Sequence, residues 1–270
     1  MTEDGMDGRT ILGVMLSQFP RCDEAFILRE LVELSKGEQE LAIYSLRPCR
    51  DRVVHEQAKR LLPQTVYAPF LWSRTVWRSH GFFLRRSARA YWGSLAWIVS
   101  RHWRHPVILA KTLALFPKTV HFARLMQERG VSQVHAGWAT FPASSTFIIQ
   151  RLTGIPYSLS GHAHDIYTAN PALAEKMRAA RFVVTCTESN RQYLRKLLDS
   201  VGAWARGHGT RPTSHVPRPI MVNYHGVDLE RFVPAPKADE KLCRILAVGS
   251  LLPCKGFETL VEACRLLKDR

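Results

Sequence analysis

Acidic residues are missing from a long central stretch of this 270-residue chain. Between Gln57 and Gln127 there is no aspartate or glutamate. The same stretch carries Lys59, Arg60, Arg74, Arg78, Arg85, Arg86, Arg89, Arg101, Arg104, Lys111, Lys118 and Arg124. Five of the seven tryptophans lie there too, Trp72, Trp77, Trp92, Trp97 and Trp103. Other features are lacking as well. The six cysteines, Cys22, Cys49, Cys186, Cys243, Cys254 and Cys264, show neither CxxC nor zinc-finger spacing, which excludes a disulfide scaffold and a zinc ribbon. They are expected to be reduced, mostly buried thiols of a cytosolic protein. No glycine falls between Gly13 and Gly37 and there is no G-x-G-x-x-G, which argues against a nicotinamide-dependent dehydrogenase. No apolar run approaches the roughly 20 residues a spanning helix needs. The longest, near Tyr91 to Ser100 and Val107 to Phe116, are too short. The polar segment Met1 to Thr10 has no secretory h-region. The expectation is a soluble or peripheral protein.

What is present can build a core. The chain is 46% hydrophobic and 23% charged, with a net charge of +15. Thr10 to Leu16 reads as a buried strand, and Phe26, Ile27, Glu30, Leu31 and Leu34 as a helix that begins at Asp23-Glu24 and ends at Gly37. Leu41 to Leu46 is a second strand. Beyond a basic helical region, about 70–125, strand and helix alternate. Strands are expected at Gln133 to Ala136, Pro156 to Ser160, Phe182 to Thr185 and Ile220 to Tyr224. Helices are expected at Phe141 to Leu152, Ala172 to Ala179 and Ser189 to Leu198. Val201 to Pro219 reads as a loop and 233–240 as a Pro-rich linker. A strand at Arg244 to Val248, a loop and a helix from Phe257 to Leu267 follow. The alternation predicts an α/β fold with a doubly wound parallel sheet and ligands at the carboxyl ends of its strands.

Those strand ends supply the candidate residues. His162 follows one strand, and a neutral imidazole there can hydrogen-bond a ligand or stabilise developing charge. His164 and Asp165 complete an H-x-H-D run, but the spacing is wrong for a metallo-hydrolase and further ligands are lacking, so no metal is assigned. Asp165 instead orients an imidazole or caps the next turn. The turn Gln18 to Asp23 leads into a helix whose N-terminus could meet a phosphate, with Asp23 read first as its N-cap. His135 and Trp138 follow another strand, where an indole can stack on a sugar face. Glu188 opens a helix and favours its dipole.

Four segments, taken in order, resemble family 4 glycosyltransferases, particularly the branch that builds bacterial exopolysaccharides such as colanic acid. They are Gln18 to Glu30, Ser160 to Tyr167 (SGHAHDIY), Phe182 to Asn190, and His225 to Phe232 (HGVDLERF) followed by Ile245 to Phe257 (ILAVGSLLPCKGF). The resemblance implies the GT-B architecture. An acceptor-side Rossmann-like domain would occupy 1–232, and 241–270 would begin a donor-binding Rossmann-like domain with its first β-α unit. It implies retaining, metal-independent sugar transfer from a nucleotide-sugar to an acceptor hydroxyl, in polysaccharide or glycolipid synthesis, with no cofactor. His162 would reach the transferred sugar. Lys255 and Gly256 match the Lys-Gly loop that clamps the donor diphosphate, whereas Ser250 stands where arginine is usual. His135, Trp138, His164, Asp165 and Glu188 would line the acceptor cleft. In similar enzymes a pair of glutamates that holds the donor comes well after the Lys-Gly loop. The 270 residues stop about one helix beyond it. The expectation is that this chain alone turns over little or nothing, and that a separate chain carries the rest of the donor domain.

Two other classes stay open. One is a non-catalytic protein that holds a glycan or lipid-linked acceptor. The other is a basic nucleic-acid-binding protein, which predicts strongly salt-dependent affinity centred on Arg74 to Arg104. The Trp- and Arg-rich stretch 72–104 more closely fits an anionic membrane surface or lipid-linked substrate, because indole sits at headgroup level and arginine meets anionic headgroups. Nucleic acid is therefore not expected as a partner. The protein is expected to be cytoplasmic, at the inner face of the cell membrane.

Overall fold

The computed structural model describes residues 10–49, 51, 54–207, 219–230, 233, 245–249 and 251–267. The chain divides into two compact units, Met1–Gly226 and Val227–Arg270.

In the first unit, Ile11–Leu16 forms strand β1, Ala25–Leu34 helix α1 and Glu40–Ser45 strand β2. The short helix α2 (Glu56–Leu61) precedes β3 (Thr65–Tyr67). Three consecutive helices follow, α3 (Arg74–Arg86), α4 (Ala88–His102) and α5 (Pro106–Glu128). The alternation resumes with β4 (Val131–Ala136), α6 (Phe141–Thr153), β5 (Tyr157–Gly161), α7 (Ala163–Tyr167) and α8 (Leu173–Ala179). It ends with β6 (Val183–Thr185), α9 (Glu188–Gly207) and β7 (Ile220–Val222). All seven strands join one parallel sheet in the order β3-β2-β1-β4-β5-β6-β7. The result is a Rossmann-like sheet with helices on both faces.

The period of two along each strand decides which face each residue serves. In β1 and β2, Val14, Leu16, Leu41 and Ile43 pack with Ile27, Leu28 and Leu31 of α1. Their alternate neighbours Met15, Ala42 and Tyr44 join Phe122, Val120, Ile148 and Ile149 in the larger cluster on the opposite face. Because both faces are covered, these strands read as continuous apolar runs. Each fully buried aliphatic or aromatic side chain contributes about 2 kcal/mol through surface removed from water. The sheet is therefore a rigid platform for the loops at its ends.

Several expectations needed correction. The edge strand β3 was not foreseen. Its three residues pair only through Ile43↔Thr65, Tyr44↔Val66 and Ser45↔Tyr67, too short a run to show alternation. The helix expected to end at Leu198 runs on to Gly207, so the expected loop from Val201 begins as helix; residues 208–218 lie outside the described set. The strand expected at Arg244 to Val248 does not form over Ile245–Val248, whose exposed apolar side chains have no neighbouring strand to pair with among the described residues. Asp23 does not cap α1. The N-cap is Glu24, without a side-chain cap bond, and Asp23 is drawn to Arg21 instead, at 2.5 Å. Nor are the described cysteines mostly buried: Cys22 and Cys264 are exposed, Cys49 and Cys186 half-buried.

The second unit contributes a 3-10 turn at Pro253–Lys255, Gly256 at φ 69° and helix α10 (Phe257–Leu267), none of whose residues is buried. No helix of the described residues is long and apolar enough to cross a membrane.

Candidate functional site

The strand order reverses between β1 and β4, and in such sheets ligands settle outside the carboxyl ends of the strands at that switch point. The loops after β1, β4, β5 and β7 meet there, beside the first turns of α1. His162 leaves the end of β5 and is 8% exposed. Three rings enclose it. Trp138, just after β4, stands 4.7 Å away centroid to centroid, and Phe26 of α1 stands 5.0 Å away, both edge-on. His225, after β7, stacks on it at 5.5 Å with 24° between planes. Phe26 also touches His225, at 4.5 Å.

Both ring nitrogens of His162 are buried without a hydrogen-bond partner. The Gly137 backbone lies near enough to favour the charged ring slightly but lacks hydrogen-bond geometry. Burial, and then the charge of His225, push the His162 pKa down to about 4. The ring is neutral at pH 7, with one donor and one acceptor to offer. Buried polar groups are nearly always paired, so an imidazole with neither nitrogen paired is unusual, and here the three surrounding rings close both nitrogens off from solvent.

The backbone that carries these rings is clamped. At the start of α7, Asp165 Oδ1 accepts from the His162 backbone N–H at 2.6 Å. Its other oxygen accepts from the Ala139 N–H. Lys176, fully buried, donates to the Ala139 carbonyl at 2.8 Å and to Asn170 Oδ1 at 2.7 Å. The Ala139 peptide is thus held from both ends, which fixes the Trp138 loop. Burial raises the Asp165 pKa to about 6 against the pull of its two backbone donors and Lys176. Burial lowers the Lys176 pKa to about 7.

The remaining predicted residues divide. His135 lies in the sheet beneath the recess rather than in it, with Nδ1 2.8 Å from Ser158 Oγ and Nε2 2.9 Å from Ser160 Oγ. Burial and then His162 push its pKa down to about 4. Its ring is satisfied and supports β5 from below. His164 is exposed on α7 and does not share the recess of His162. Glu188 opens α9 and pairs with Arg191 at 2.6 Å, which lowers its pKa. Lys255 and Gly256 lie in the second unit. Lys255 is exposed, and Gly256 takes the left-handed conformation that starts α10. Ser250 lies outside the described residues.

Sequence reasoning missed Phe26, Arg29, Glu30, Cys186 and His225 as members of this recess. Arg29 Nε is buried without a partner, and its charge helps lower the pKa of His225 after burial itself. Glu30 Oε1 lies 3.9 Å from His225 Nδ1, and burial raises its pKa. Phe26, Arg29 and Glu30 share one face of α1 by i, i+3, i+4 spacing, a signal that was available. Trp138 Nε1 makes no well-formed hydrogen bond, although the indole is close enough to the Glu24 carboxylate to lower its pKa slightly against the raising effect of burial.

His162, Cys186 and His225 bring ligand-type atoms within 4.8 Å of one another. The two imidazoles are stacked, however, so their in-plane lone pairs run alongside each other instead of converging on one ion. The cluster brings together neutral His162, the rings of Phe26, Trp138 and His225, the Arg29 guanidinium and the Glu30 carboxylate. No protein-family model matches the chain, and no curated protein matches it in sequence.

Proposed function

We propose that the chain takes part in transferring a sugar from a nucleotide-sugar to an acceptor hydroxyl in bacterial polysaccharide or glycolipid synthesis, with retention and without a metal, and that the His162 recess receives the transferred sugar. The observation that carries this reading is the buried, neutral, unpartnered imidazole at the switch point of the sheet. In this reading His162 exchanges hydrogen bonds with a sugar hydroxyl, while the edges and faces of Phe26 and Trp138 pack on its C–H surface. Arg29 offers positive charge to a phosphate. The resemblance of the Lys255-Gly256 loop supplies the further expectation that it engages the donor diphosphate.

The test follows the histidine side chains by NMR during titration with a panel of uridine, guanosine and adenosine diphosphate sugars and candidate glycans, alongside a mass-detected transfer assay. The expected result is movement of the His162 and His225 ring signals with a nucleotide-sugar, the His225 movement being lost in His162→Ala. Absence of movement with every compound, or an unchanged His225 response to nucleotide-sugar in His162→Ala, sinks the proposal. A second reading, a protein that holds a glycan without transferring sugar, draws support from the segment Ile245–Val248 of the second unit, which pairs with no strand among the described residues. It predicts glycan-induced shifts with none from nucleotide-sugars.

A further inference from the structure

Four of the five tryptophans in the acid-free stretch share an outward location, while the fifth belongs to the core. Trp97 is 7% exposed and donates its Nε1–H to Glu175 at 2.9 Å. Trp72, Trp77, Trp92 and Trp103 are 72%, 54%, 60% and 65% exposed. A file of rings connects the first three. Trp72 lies 6.0 Å from Trp77, Trp77 5.5 Å from His80, His80 5.7 Å from Tyr91 and Tyr91 5.5 Å from Trp92. A hydrogen bond of 2.7 Å between His80 Nδ1 and the Tyr91 hydroxyl ties α3 to α4 at the centre of that file. Along α4, Trp92, Ala96, Val99 and Trp103 are exposed at spacings of four, three and four, one continuous helical stripe. Val107, on the first turn of α5, is 64% exposed.

The same two helices, α3 and α4, carry arginines, most of them without an acid to neutralise them. Arg78, Arg85, Arg86 and Arg124 ring a shallow concavity around Phe82, with the Arg86 and Arg124 guanidinium carbons 6.0 and 5.2 Å from its ring centre. Arg124 is paired with Glu128, and Arg101 with Glu175. Arg74, Arg78, Arg85, Arg86 and Arg89 meet no carboxylate among the described residues. Ordinary surfaces interleave both signs and scatter their large apolar groups singly.

We infer that the outer face of α3 and α4 is a docking surface for an anionic lipid bilayer. The indoles enter the interfacial zone, the Arg78, Arg85 and Arg86 cluster meets headgroup phosphates, and Val99 and Val107 reach toward the acyl boundary. A nucleic acid would satisfy the arginines but gains nothing from exposed valines, which is why a bilayer fits this face better. The inference stands independently of the sugar-transfer reading.

The full chain is sedimented with vesicles of phosphatidylcholine alone and with 30% phosphatidylglycerol, with tryptophan emission followed in parallel. Binding is expected to the anionic vesicles, weakened by salt and accompanied by a blue shift. Replacing Arg78, Arg85 and Arg86 together by Gln should weaken binding on the order of a hundredfold, at about fivefold per surface arginine. Trp72→Ala, Trp77→Ala and Trp92→Ala combined should cost about tenfold or more and reduce the blue shift to what Trp103 alone supplies, with far-UV circular dichroism unchanged because these side chains are exposed. Equal binding to neutral and anionic vesicles, no vesicle binding, or wild-type binding by the triple Trp variant overturns the inference. So does tighter binding to a single-stranded oligonucleotide than to anionic vesicles.

Discussion

A histidine held neutral inside a fold makes stability depend on pH with a definite sign. His135 and His162 both have folded pKa values near 4, against 6.5 in the unfolded chain. Their stabilising contribution is complete above 6.5 and is lost as pH falls toward 4, because the unfolded chain takes up protons the folded one refuses. Linkage gives a loss of about 2 kcal/mol per histidine between pH 7 and pH 5. Asp165 runs the other way: its pKa is raised to about 6, so falling pH returns about 1 kcal/mol, and the net change remains a loss. Urea denaturation at the two pH values should show this. His162→Phe, which keeps a planar ring in the aromatic recess, should remove roughly half of the histidine loss; an unchanged slope would count against a neutral buried His162. The clamp on Ala139 makes a second expectation. Lys176→Met retains much of the side-chain volume but leaves the half-buried Asn170 Oδ1 without its donor and takes one of two donors from the Ala139 carbonyl, which keeps Asn170 Nδ2 at 3.0 Å. Urea denaturation at pH 7 should register a loss of about 2–4 kcal/mol. The place of His162 at the carboxyl end of a strand was legible because it closes a strand-like run, Pro156 to Ser160. His135 was misplaced because a strand end and a strand interior differ by one or two positions, within which sequence reasoning does not resolve. His225 reaches His162 only through the fold, and no local periodicity reports such a contact.

Elements were easiest to read where composition and period agreed. The apolar runs of β1 and β2 and the stripe of α1 each had one consistent structure. α6 was bounded at both ends by residues with fixed backbone preferences, Pro142 in its first turn and Gly154 after its last. Gly154 sits at φ 81°, and a Cβ added there would meet no heavy atom within 4 Å, so its role is purely conformational. Gly154→Ala is therefore expected to lower stability by about 1 kcal/mol through backbone strain alone. A thermal melt that does not shift downward would show that the left-handed turn relaxes without cost. Where elements were misread, the missing information was tertiary. β3 exists because β2 offers it an edge, and Ile245–Val248 stays unpaired because no described strand borders it, although its composition favours a strand. In α9 the sequence Ala203-Trp204-Ala205-Arg206 supports helix strongly enough to carry it past Gly202, which alone costs only about 1 kcal/mol in a helix.

At the scale of the molecule, stability is concentrated in one of the two units. Both hydrophobic clusters, the whole seven-stranded sheet and the aromatic recess lie within Met1–Gly226. The described part of Val227–Arg270 has a helix without a buried residue and a run of apolar side chains, Leu246, Val248 and Leu251 among them, at 87%, 89% and 88% exposure. Cooperative unfolding follows buried apolar area, so the melting transition belongs to the first unit. A chain ending at Gly226 should keep the midpoint of the 270-residue protein to within about 2 °C, since a shift of that size in a domain of this length corresponds to less than about 1 kcal/mol. Its histidine resonances at His162 and His225 should also be unchanged, because the rings that enclose them all come from the first unit. Differential scanning calorimetry and NMR of the shortened chain measure both quantities. A midpoint lowered by about 5 °C or more would mean that the exposed segment contributes folding energy through contacts of its own, and would move the limit of the stable core past Gly226.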